Sequence, residues 1–75
     1  MTGDEFFNSV KDGDRVKMNT ELWFGLGFKK GKEILLKDQQ LTVDWKHVGF
    51  FDYFIHATTD DGRKYRLKIQ SLDLV

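Results

Sequence analysis

Residues 53–69 constrain this chain more than any other stretch, because two runs of alternating apolar and polar side chains flank Asp60-Asp61-Gly62. Gly after Asp supplies the positive-φ position that a tight hairpin turn requires. Two registers compete. A two-residue loop at Asp61-Gly62 pairs Asp60 with Arg63 and puts Leu67 on one face with His56. A three-residue loop with a bulge at Gly62 pairs Thr59 with Arg63. In that register Tyr53, Ile55 and Ala57 share a face with Tyr65, Leu67 and Ile69, while Phe54, His56 and Thr58 share the other with Lys64, Arg66 and Lys68. A slip of one residue exchanges every side chain between the faces. The bulged register separates apolar from polar better and is the one predicted. Its outer face is basic, with one Phe and one His among the cations.

Seventy-five residues make one domain near the lower limit for a single core, and the absence of cysteine removes disulfides and thiolate–metal sites as staples. Lys plus Arg equal Asp plus Glu at twelve each. A dedicated nucleic-acid binder carries a basic excess, so the balance favours a protein partner or self-association over nucleic acid. Asp4 and Glu5 stand where the basic region of a signal peptide would be, and no apolar run reaches bilayer length. A cytoplasmic protein without membrane association is expected.

Thr2-Gly3-Asp4-Glu5 has the form of a capping box, and predicts a helix over about residues 3–10 that docks through Phe6 and Val10, with Phe7 beside them. The chain divides into this helix (1–11) and a β domain (12–75). After the Asp12-Gly13 turn, residues 14–18 read as a strand with Val16 and Met18 inward. Residues 19–30 interleave Leu22, Trp23, Phe24, Leu26 and Phe28 with two glycines, which predicts a long structured loop. Ile34 and Leu36 alternate among Lys29, Lys30, Lys32 and Lys37, predicting a strand with a cationic outer face guarded against edge pairing. A turn at Asp38-Gln39-Gln40 leads to a strand in which Leu41, Val43 and Trp45 point inward by parity. Phe50 and Phe51 are adjacent in the next connection, so both cannot point inward if it is extended. Residues 70–75 predict one 3₁₀ turn and a strand-like tail.

Three short motifs resemble those of small SH3-like barrels, including the KOW type. Gly13-Asp14-Arg15-Val16 resembles their opening strand, Gly31-Lys32-Glu33-Ile34 the glycine before a second strand, and Ile69-Gln70-Ser71-Leu72 the closing 3₁₀ turn and last strand. The resemblance covers about residues 12–75. It implies a mostly β fold, a small five-stranded SH3-like barrel, to which this chain adds a short N-terminal helix; the C-terminal 3₁₀ turn belongs to the pattern. The aromatic segment 19–30 departs from a compact KOW motif, so the resemblance is carried to the fold alone. A free-standing domain of this length also resembles small accessory proteins of bacteria and phages.

No catalytic, cofactor or metal site emerges. Ser9 and Ser71 lack a nucleophile context, and His47 and His56 have no carboxylate at ligand spacing. Asp12-Gly13-Asp14 and Asp60-Asp61-Gly62 lack the ligand series of a calcium loop, and Gly25-x-Gly27 is not a P-loop. A non-enzymatic protein is expected. Its first reading is a protein-interaction module in which Trp23, Phe24, Phe28, Phe50 and Phe51 form an exposed aromatic patch. The alternative is single-stranded RNA or DNA binding on the outer hairpin face, with Lys64, Arg66 and Lys68 meeting phosphates while Phe54 and His56 stack on bases.

Overall fold

The structure, a computed structural model, describes residues 2–24 and 33–75. Helix α1 (Gly3–Ser9) begins at a complete capping box: the Glu5 N–H donates to the Thr2 hydroxyl, and the Thr2 N–H donates to the Glu5 carboxylate, both at 3.2 Å. Two donors that a helix start would leave without partners are thereby satisfied. Seven residues form no stable helix alone, so packing must hold α1 in place. Phe6, Phe7 and Val10 are all buried, and the Phe7 ring stacks on Tyr53 at 4.5 Å between centroids. Lys46 Nζ donates to the Phe7 carbonyl at 2.8 Å, near the helix end where carbonyls lack partners. The predicted docking by Phe6 and Val10 holds, and Phe7 docks with them.

Seven strands follow: β1 (Arg15–Met18), β2 (Leu22–Phe24), β3 (Glu33–Leu35), β4 (Gln40–Val48), β5 (Tyr53–Thr59), β6 (Lys64–Lys68) and, after a 3₁₀ turn at Ile69–Ser71, β7 (Leu72–Leu74). Five form an antiparallel sheet in the order β6-β5-β4-β1-β7, and β2 and β3 form a separate antiparallel ribbon. The protein is thus small and mostly β; among the described residues, these ladders do not close the sheets into a barrel. The long loop expected over residues 19–30 is a strand at Leu22–Phe24, and residues 25–30 lie outside the described residues.

The β5–β6 hairpin takes the bulged register. Ala57 faces Tyr65, Ile55 faces Leu67, and the Thr59 N–H donates to the Arg63 carbonyl at 2.8 Å. Gly62 has φ +92°, a conformation that costs an L side chain about 1–2 kcal/mol. The inner face carries the core: Val16 and Met18 from β1, Leu35 from β3, Leu41 and Val43 from β4, and Ile55 and Leu67 from the hairpin are almost wholly excluded from solvent. Full burial of each such side chain contributes about 1.5–3 kcal/mol before chain entropy is counted.

Two inward assignments are overturned. Leu35, not Leu36, enters the core from β3, because the Leu22–Leu35 pairing sets that face and the next residues turn. Leu36 opens a tight reversal in which the Gln39 N–H donates to the Leu36 carbonyl at 3.1 Å and Asp38 takes φ 69°, so its side chain is exposed. Trp45 is not a core residue either. The β4–β5 register shifts between Val43 and Trp45: Val43 faces Ala57, yet Trp45 faces His56. Asp44 is therefore the extra residue of a β-bulge, and beyond it the parity of β4 inverts. Trp45 and His47 go to the outer face, and Lys46 goes to the inner side against Phe7.

Candidate binding surfaces

Two surfaces present aromatic groups. The first is the reversal between β4 and β5. Val48 faces Tyr53, and the Gly49 N–H donates to the Asp52 carbonyl at 2.8 Å, which leaves Phe50 and Phe51 as the two residues at the tip. Gly49 is required here for space: a Cβ at this position would lie 2.6 Å from Cε2 of Phe54 and 2.9 Å from the Asp52 carbonyl oxygen. The tip rings are held edge to face, 4.7 Å between centroids at 78°, and are 92% and 89% exposed. Asp52 at the base of the tip pairs with Lys68 at 3.6 Å.

The second surface is the outer face of β4, β5 and β6. The inverted parity of β4 lays the Trp45 indole on the His56 imidazole, 3.7 Å between centroids and 9° from parallel. His47 lies 5.8 Å from both rings and 5.7 Å from Phe54. The Arg66 guanidinium caps the Phe54 ring at 4.8 Å. Nδ1 of His47 and Nε2 of His56 are buried without a hydrogen-bond partner among the described residues. Burial, then the neighbouring His47 and Arg66, hold the His56 imidazole below its ordinary pKa against a smaller opposing pull from Asp44, so the neutral ring is favoured. Asp44 is itself occupied, accepting from the Thr58 hydroxyl at 2.5 Å.

The residues expected to bind protein thus fall in different places. Phe50 and Phe51 come together at one tip. Trp23 stands on the β2–β3 ribbon, 61% exposed, with its Nε1 donating to Glu21 at 2.7 Å. Phe24 is described in its backbone alone, and Phe28 lies outside the described residues. On the outer face Lys64, Arg66 and Lys68 project as expected, but Phe54 and His56 are half-buried beneath Arg66 and Trp45. The aromatic side chain most available on that face is Trp45, 49% exposed, which strand parity had assigned to the core.

A signal for Trp45 does exist in the sequence. If residues 49 and 52 close the tip, counting back pairs 48 with 53 and 45 with 56, which places Trp45 opposite an outward His. The same count would set Val43 opposite Thr58, on the wet face. Only an extra residue between them reconciles both ends of the strand.

Among the described residues no group of three or more His, Cys, Asp or Glu could hold a metal ion, and no helix is long and apolar enough to cross a membrane. No family model, curated protein or solved structure matches the chain.

Proposed function

We propose that this chain is a small, non-enzymatic protein-interaction module of SH3-like barrel type that binds a protein partner through the tip formed by Phe50 and Phe51. The fold reading is supported by the strand order, in which β1 lies between the last strand and a three-strand meander, and by the 3₁₀ turn directly before β7. The functional reading rests on one observation: two adjacent phenylalanines, each about nine-tenths exposed, are held ring against ring on a short reversal. Exposed aromatic side chains that are already ordered lose little entropy on docking, and aromatic anchors dominate interface energies. Zero net charge is compatible with a protein partner or with a second copy of the chain.

The test uses a photocrosslinking amino acid at position 50, identification of the crosslinked protein, and affinity measurement with that protein purified. Phe50→Ala and Phe51→Ala should each weaken binding about tenfold or more. Sedimentation of the isolated chain separates a foreign partner from self-association. Unchanged affinity in both variants would remove the reading.

A further inference from the structure

The outer face holds a second, chemically different site. Trp45 lies with one ring face on His56 and remains 49% exposed. Beside it runs a groove of about 400 Å³ lined by Asp44, Trp45, His56, Lys64, Tyr65 and Arg66, within the size range of small-ligand clefts at roughly 300–1,000 Å³. Lys64 and Arg66 alternate outward along β6 on the same side of the sheet as His56. Neither has a carboxylate within salt-bridge distance among the described residues, whereas Arg15, Arg63 and Lys68 are paired with Asp60, Asp61 and Asp52. Arg66 is further fixed over Phe54, so its charge is positioned beside the stack. We infer that this face is a binding site for single-stranded nucleic acid, with a base stacked on Trp45 and the adjoining phosphates on Lys64 and Arg66.

Three features select that ligand. An indole already resting on an imidazole forms a rigid platform that extends one ring further when a base is added. Such stacking requires an unpaired base, which excludes duplex. Cations without internal acidic partners beside the platform match a phosphate chain, and the neutral sum over the whole chain does not alter their local arrangement. Asp44 lines the same groove and keeps its negative charge while accepting from the Thr58 hydroxyl, so the phosphates are assigned to Lys64 and Arg66 and away from Asp44.

The experiment measures fluorescence anisotropy of a labelled oligothymidylate of about twelve nucleotides, within the span that one small β domain covers. Binding should saturate at low salt, with log K falling against log [salt] at a slope of about −1 to −2, as two contacted phosphates require. Trp45→Ala should weaken it about tenfold. The Lys64→Glu, Arg66→Glu double variant, altered at two exposed positions, should abolish it, and thermal melting checks that each variant is folded. In a Trp23→Phe background Trp45 is the remaining tryptophan, and its emission should be quenched as the oligonucleotide saturates. Absence of binding at low salt, equal binding of duplex, absence of quenching, or equal affinity for a polyglutamate peptide would each overturn the inference. If Trp45→Ala unfolds, the quenching and the double charge reversal decide the matter.

Discussion

Strand β5 is bounded by two reversals of opposite character. At its C-terminal end the Asp60-Asp61-Gly62 turn is saturated with internal partners. The Thr59 hydroxyl donates to Asp61 and accepts from the Arg63 N–H, Arg63 donates to Asp61 at 3.0 Å, and Asp60 pairs with Arg15 on β1 at 2.8 Å. Arg63 also reaches the Ile34 carbonyl at 3.1 Å, fastening the β2–β3 ribbon to the hairpin. At the other end, Phe50 and Phe51 touch each other and solvent. Charged and polar side chains in one turn are bonded to their neighbours although Asp60 and Asp61 remain exposed; apolar side chains in the other meet each other and solvent. A reversal that serves folding consumes its own bonding capacity, and a reversal that leaves apolar area unspent has that area available for another molecule.

This contrast can be tested by moving each turn toward the other. Thr59 is the one buried polar residue among the described positions, and Thr59→Val strips the turn of its central hydroxyl. The loss should lower unfolding free energy by about 2 kcal/mol in urea titration, because the Arg63 N–H loses a partner. Gly62→Ala should cost less, about 1 kcal/mol, since an added Cβ meets nothing within 4 Å and the penalty is the backbone conformation alone. Acid should loosen the same turn. The Thr59 hydroxyl, followed by Arg63, holds the Asp61 carboxyl below its ordinary 3.8, and Arg15 does the same for Asp60. Their folded-state contribution is therefore present above pH 3.8 and is lost as pH falls through the depressed values. Protection of the amides at residues 61–64, taken relative to intrinsic exchange at each pH, should fall over that acid range, and Asp61→Asn should remove much of the fall. Smallest of all, Phe50→Ala with Phe51→Ala should change stability by no more than about 0.5 kcal/mol, although binding falls. A large destabilisation there would dissolve the distinction between the two turns.

How much of this was readable beforehand follows the same division. Gly62 after two aspartates marks the turn, and the alternation of the flanking runs chooses between its two registers, so the β5–β6 faces could be assigned residue by residue. The capping box likewise marks the start of α1 locally. The bulge carries no such mark. Val43-Asp44-Trp45 alternates as a regular strand does, and it contains no glycine to announce an irregularity. It arises from a conflict between the tip at residues 49–52 and the core positions of Leu41 and Val43, each of which dictates its own parity for β4. Inference confined to one strand could not see that conflict. The ribbon was missed for a related reason: Leu22–Phe24 pairs with Glu33–Leu35 across an intervening segment, so neither strand has a short-range turn signal to reveal its partner.

The bulge at Asp44 also acts as a reading-frame device for side chains. Upstream of it β4 supplies the interior; downstream, the same strand supplies an outer aromatic platform. Because Asp44 is the supernumerary residue, its deletion would leave a regular ladder in which Val43 still meets Ala57, Trp45 still meets His56 and Lys46 still meets Ile55, so both faces of β4 would keep their side chains. A one-codon deletion two positions further on, at Lys46, would instead absorb the bulge and set Trp45 opposite Ile55 on the inner side, so the place of a deletion within β4 decides whether the indole platform survives.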